Sequence, residues 1–363
     1  MRILLPFLLA ASLGATELQP AGKAELRQPQ LAAAYGRVAL AYGSGSEIWF
    51  RSSADGGRTF APAVKVAESG ALALGRHRGP RITILKDSML ITAVAGSAVS
   101  HGEHAHGLPE KGELMVWRST DGKAWTRVAR INDIPAAAEE GLHAIAADQQ
   151  GHLFAAWLDH RNKGTELYGA RSVDGGLTWS KNVRIYASPD GTICQCCDPS
   201  IAIGADGTIH VMWRNVLEGS RDLYLTESKD GEHFGAVQKV GAGTWKIDAC
   251  PMDGGGLVLD HSDHGDHGQP VTAWRRESTI YLDRVGSTEQ ALGEGKDVAI
   301  AAGAKGVYAI WSSTQGVQLL APGAKSAVKI ADEGGFPAIV TLPDGAALAA
   351  WEQSGRIHTE RLP

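Results

Sequence analysis

The 363-residue chain carries 45 glycines, 44% hydrophobic and 21% charged residues, and a net charge of -5. That balance supplies a sizeable core and excludes the basic stripe on which nucleic-acid binding rests, so no nucleic-acid partner is expected. Glycine-rich turns between short alternating strands argue against long helices throughout. At the N-terminus, Arg2, an apolar run from Ile3 to Leu13 and the small residues Ser12, Gly14 and Ala15 read as a cleaved signal peptide over residues 1–15. The run falls well short of the roughly 20 residues a spanning helix needs, no later segment is apolar enough to cross a membrane, and no Cys follows the cleavage site to carry a lipid. The expected mature chain, residues 16–363, is one exported domain, periplasmic or secreted.

Further along, one short turn recurs four times: Ser53-Ala-Asp55-Gly-Gly57-Arg-Thr-Phe60, Ser119-Thr-Asp121-Gly122-Lys-Ala-Trp125, Ser172-Val-Asp174-Gly-Gly176-Leu-Thr-Trp179 and Ser228-Lys-Asp230-Gly231-Glu-His-Phe234. The Ser and Asp side chains can bond nearby backbone amides, Gly supplies positive φ, and the aromatic residue packs between sheets. A second phrase, an apolar strand, a turn and an apolar strand ending in a small residue and Trp, recurs around Tyr42, Thr92 (without Trp), Trp157, Trp213, Trp274, Trp311 and Trp351. These seven units predict an all-β propeller of four-stranded blades, since radial repetition leaves few exposed sheet edges. The last unit has about three strands, and residues near Glu17 to Gln19 are expected to supply the fourth and close the ring.

The turn motif resembles the Asp box of sialidases and related β-propellers, with the second and fourth copies one residue short. A sialidase would have six blades, which is the alternative to the seven counted above. In a propeller the loops leading into the first strand of each blade share a face with those joining the second strand to the third, and the Asp-box turns lie opposite. On the first face this collects His77, Arg78, the His101-Gly-Glu103-His104-Ala-His106 loop, His143, Asp159-His160-Arg161, Cys194 to Asp198, Arg214, Trp245 to Cys250, Arg275, Phe336 and Glu352.

The resemblance also assigns residues. Arg78-Gly-Pro80-Arg81 is similar to the motif whose Arg begins the sialidase triad that grips the substrate carboxylate, and the stretch from Asp206 to Arg214 is similar to the one carrying the second. Arg275 follows Trp274 as Arg214 follows Trp213, which makes it the candidate third, with a bridge between blades as its alternative role. Three guanidiniums would offer an acidic sugar fixed bidentate donors. The departures weigh more. Phe336 occupies the position of the Tyr nucleophile, the Glu that activates that Tyr has only Asp198 near its place, and residues 95–112 offer Glu103, Glu110 and three His but no acid Asp. Little or no sialidase activity is therefore expected.

The cysteines stand in Cys194-Gln-Cys196-Cys197-Asp198 and Asp248-Ala-Cys250-Pro-Met-Asp253, each just before an inner strand in consecutive blades. Three chemistries stay open for them: two structural disulfides, a thiolate site for copper or zinc with His77, His143 or the His101 to His106 loop assisting, and a redox-active disulfide. Together with Trp157-Leu-Asp159-His-Arg161, this arrangement resembles a group of exported bacterial sialidase-like proteins. A second His-rich stretch, Asp260-His261-Ser-Asp263-His264-Gly-Asp266-His267, is expected on the opposite face, outside that site.

Two functions follow as expectations. One is a glycan-active enzyme or lectin that binds an acidic sugar through Arg78, Arg161, Arg214 and Arg275, with Asp159, Asp198 or Glu352 as acid and base. The other is a non-enzymatic exported propeller that binds metal or a partner protein through its cysteine-bearing face.

Overall fold

The computed structural model describes residues 15–20, 22, 24–98, 108–262 and 268–363. The predicted signal peptide, the His101 to His106 loop and Asp263 to His267 fall wholly or almost wholly outside them. Among the described residues there is no helix, and seven antiparallel sheets follow one another along the chain. They occupy residues 27–68, 71–130, 143–186, 200–239, 256–294, 296–331 and 335–362, here called blades 1 to 7. Seven blades, not six, form the ring.

Within a blade the strands run outward in chain order, so the first is innermost. The second strand is sandwiched between neighbouring blades, and its sequence shows this: Leu153–Asp159 and Ile209–Arg214 are buried at every residue. A strand covered on both faces cannot alternate apolar with polar residues, so it reads as a continuous apolar run. Six of the seven second strands carry an aromatic residue at one equivalent position, and Tyr42, Trp157, Trp213, Trp274, Trp311 and Trp351 are all buried. Blade 2 has Thr92 there, and the imidazole of His143 reaches it from the next blade, with Nε2 3.0 Å from Thr92 Oγ1.

The four Ser-x-Asp-Gly turns all join the third strand to the fourth, in blades 1 to 4. Each Ser Oγ accepts an amide from a turn glycine (Gly57, Gly122, Gly176 and Gly231), in every case at 2.9 Å. The two short copies take that amide from a glycine one residue earlier, which absorbs the deletion. Gly176 has φ +84°, and a Cβ there would lie 2.1 Å from Leu90 of the preceding blade, so glycine is required twice over. The closing aromatic residue packs onto the same neighbour, as Trp125 on Phe50 and Phe234 on Phe154 show.

The ring closes as the sequence suggests. Thr16–Leu18 pairs with the last strand, Arg356–Leu362, in the register Thr16 to Thr359, Glu17 to His358 and Leu18 to Ile357. The first residues of the domain thus complete the blade formed by its last.

Candidate functional site

The innermost strands line a central channel with a cavity at each end. The end where these strands begin holds a cavity of about 240 Å³, lined by Gln28, His77, Arg81, Asp198, Asp297 and Phe336 among others. The opposite end is lined by the strands' far ends and by His261, in keeping with the expected face for that stretch.

Three innermost strands carry a register shift at their first residues, between Arg27 and Gln30, Lys296 and Ala299, and Gly335 and Ala338. Inside those three shifts sit Gln28, Asp297 and Phe336, with φ of +55°, +57° and +48°, and His77 on blade 2 has +67°. Left-handed backbone at ordinary residues is costly, and bulges re-aim side chains. Here all four of these residues line the cavity.

His77 is the hub. Its Nε2 lies 3.0 Å from Asp297 Oδ1, its Nδ1 4.0 Å from Asp198 Oδ1, and Phe336 meets its ring edge-on at 5.2 Å. Arg81 donates to the His77 carbonyl at 2.6 Å and lies 3.5 Å from Asp198 Oδ2. Behind them Asp253, fully buried, accepts the Asp297 amide at 2.9 Å. Arg81 Nη1, Asp198 Oδ1, Asp253 Oδ1 and Asp297 Oδ2 are all buried and have no hydrogen-bond partner within the protein. That is a concentration of desolvated polar atoms that packing alone does not explain.

Burial disfavours a charged imidazole at His77, but the charges of Asp198, Asp297 and Asp253 and the hydrogen bond to Asp297 outweigh it, and its pKa is pushed up to about 9. With the ordinary value at 6.5, the stability His77 contributes is complete below pH 6.5 and lost as pH rises through about 9. The wild-type advantage over His77→Gln in unfolding free energy should therefore shrink by on the order of 3 kcal/mol between about pH 6 and pH 9.5. Urea titrations at both pH values check this, and an advantage that stays constant contradicts it. The charged groups facing His77 are Asp198, Asp253, Asp297 and, through Asp198, Arg81.

The expected site residues separate into two groups. Asp198 and His77 line the cavity. Glu352 stands one step back, where its Oε1 accepts the Gln28 amide at 2.5 Å and its Oε2 receives Arg27 at 2.7 Å. Asp159 is sealed away, accepting Trp157 Nε1 at 2.8 Å and pairing with Arg161 through both oxygens. Arg161 also bonds Asn182 and stacks over Tyr168 at 4.0 Å. Arg78 points between blades, donating to the Glu140 carbonyl and lying 3.0 Å from its carboxylate. Arg214 gives its three nitrogens to the carbonyls of Asp253, Arg221 and Arg275. Arg275 donates to the Glu277 carbonyl, and both it and Arg214 flank Trp245. The three arginines grouped by the resemblance are thus held by the protein's own acceptors, and none lines the axial cavity. Arg81 and Asp297 line the axial cavity with Asp253 buried behind them, and the sequence reading named none of the three as site residues.

The thiols form a second cluster beside the first, because Cys197 precedes Asp198 and Met252 precedes Asp253. Cys194, Cys196 and Cys197 are buried, with Sγ separations of 3.1 Å (194 to 197), 3.6 Å (194 to 196) and 3.9 Å (196 to 197). All four cysteines are unbridged, so of the three open chemistries the two structural disulfides are not formed in this structure. Cys250 is exposed, and it adds to the effect of Cys194, the main cause, in pushing the Cys196 thiol up. Among the described residues the side chains close enough together to share an ion are Cys194, Cys196 and Cys197, and neither His77 nor His143 joins them.

No protein-family model matches the sequence, and no curated protein matches it. Solved structures do match over nearly the whole chain. The Penicillium chrysogenum α-L-arabinanase complexed with arabinobiose is 14% identical with a TM-score of 0.55, covering 93% of each chain. A polysaccharide lyase of the ulvan-lyase family PL25 is 12% identical with a TM-score of 0.57, covering 96% of each chain. The NanB sialidase of Streptococcus pneumoniae is 12% identical with a TM-score of 0.57, covering 96% of this chain and 70% of that one. The likeness is one of fold.

Proposed function

We propose that this propeller binds and processes a glycan at the axial cavity. The observation that carries the reading is the set of buried, unpartnered polar atoms around that cavity: acceptors on Asp198 and Asp297 and a donor on Arg81, with Asp253 behind. A saccharide presents hydroxyls that donate to carboxylates and accept from a guanidinium, so it would satisfy such a set without adding charge. Three carboxylates face two cations, Arg81 and His77, which favours a neutral sugar over the acidic glycan suggested by the sialidase resemblance. In this reading His77, which lines the cavity and is held charged by its carboxylate neighbours, serves as the proton donor to a glycosidic oxygen. Phe336 has no hydroxyl to act as a nucleophile, so turnover of sialosides is not expected. Fold neighbours that are themselves an arabinanase and a polysaccharide lyase lend support to the choice of ligand class.

Calorimetric titration with neutral arabino- and gluco-oligosaccharides, and in parallel with uronic- and sialic-acid oligosaccharides, tests the proposal. Asp198→Asn and Arg81→Met should each weaken binding at least about tenfold, the cost of leaving one buried polar partner unmatched. Arg275→Ala should leave binding unchanged. Failure to bind any member of either panel, or binding indifferent to Asp198 and Arg81, would overturn the assignment.

A further inference from the structure

We infer that Cys194, Cys196 and Cys197 form a three-sulfur site for a monovalent soft metal ion, copper(I), independent of any glycan at the axis. The three sulfurs converge on one point from a single four-residue turn, and all three are buried. An ion bonded at about 2.3 Å to three coplanar sulfurs spaces them about 4 Å apart. The observed edges of 3.1, 3.6 and 3.9 Å need only a modest spreading to reach that triangle. The site is walled by apolar side chains, Val216 and the thioether-bearing Met252. Thiolates in an apolar pocket select soft metals.

Coordination number and charge separate copper(I) from zinc. Structural zinc is nearly always held by four ligands in a tetrahedron. Here the mutually close sulfurs number three, and Cys250, the only other thiol, stays exposed at the rim. A copper(I) ion with three thiolates carries two negative charges, and two guanidiniums meet them. Arg221 Nη1 lies 3.5 Å from Cys194 Sγ, and the charge of Arg214 acts on both Cys194 and Cys197. Arg221 Nε is buried without a hydrogen-bond partner, an unspent donor beside the cluster. Binding proceeds without electron transfer: three Cu–S bonds form, and each thiol that ionises gives its proton to solvent.

Anaerobic titration of the fully reduced protein with copper(I), in competition with bicinchoninate, reads the site directly. One equivalent should be retained. Cys197→Ser should lower the affinity by more than the roughly hundredfold that loss of an outer-sphere partner costs. Cys250→Ser should retain the equivalent with an affinity within about tenfold of wild type. Copper X-ray absorption on the wild-type protein counts the sulfur neighbours without any variant, and so covers the case in which Cys197→Ser does not fold. Three sulfurs support the site. A reduced protein that yields all its copper to bicinchoninate, a Cys250→Ser variant as weak as Cys197→Ser, or a sulfur count of two overturns it. Glycan titrations on the metal-free protein keep the two assignments separate.

Discussion

Replacing Arg214 by Met is expected to lower the unfolding free energy by on the order of 4 kcal/mol. Arg214 is almost fully buried, and its guanidinium binds three carbonyls that come from three different segments: Asp253 at 2.9 Å, Arg221 at 2.6 Å and Arg275 at 3.0 Å. Met fills much of the same volume but donates nothing, so three carbonyls lose their charged donor together, and the thiol cluster loses one of its two neighbouring positive charges. Arg214→Lys should recover only a minor part, because a single ammonium cannot reach three acceptors in a fork. Guanidinium titration gives the result as a shift in midpoint at constant slope. A loss below about 1 kcal/mol would mean that the three carbonyls find other donors, and would return Arg214 to the candidates for ligand contact. The same substitution bears on the site indirectly, since the Asp253 carbonyl it releases belongs to the residue that holds the Asp297 amide.

The architecture was legible from sequence because its determinants are local and repeated. Each Ser-x-Asp-Gly turn carries its own hydrogen bonds, and each second strand, covered on both faces, announces itself as an apolar run with one large aromatic residue. Even the gap at Thr92 was visible, although its filling by His143 depends on a neighbouring blade. The site was legible only in part. Asp198, His77 and Phe336 could be placed on the face that holds the cavity, because each stands in or beside a recognisable motif. Asp297 could not, because it reaches the cavity through a bulge at the start of an otherwise ordinary strand, and a bulge leaves no mark in hydrophobic periodicity. The motif pointed to Arg78, whereas the cavity is lined by Arg81, for a related reason. The two sit three residues apart around the Gly79-Pro80 turn, and the turn sends one guanidinium between blades to Glu140 and the other toward the axis. Similarity of motif cannot say which, while the fate of each guanidinium's hydrogen bonds can.

Deleting residues up to Gln19 should destabilise the propeller by on the order of 3 kcal/mol and expose an edge that self-associates. Thr16–Leu18 is short, yet its position makes it matter more than its three residues suggest. It pairs with the outside of Arg356–Leu362, so the last blade contains both ends of the domain, and separating them there opens the ring instead of trimming a blade. Leu18 is buried in a cluster with Leu26, Leu40, Tyr42, Ala350 and Ile357, residues of blades 1 and 7 and the segment between the closing strand and blade 1. Its side chain therefore fastens the closing strand to the first blade as well as the last. Leu18→Asp tests the same junction without changing chain length, placing an unpaired carboxylate among apolar groups at a cost of several kcal/mol in the folded state. Unfolding titrations give the loss, and size-exclusion chromatography at increasing concentration reports whether the freed edge of Arg356–Leu362 recruits another chain. Because that strand would then offer a row of unpaired amides and carbonyls, association should grow with concentration and be suppressed by a synthetic peptide spanning residues 15–20. A truncated protein that stays monomeric and keeps wild-type stability would show that interblade packing alone holds the ring shut.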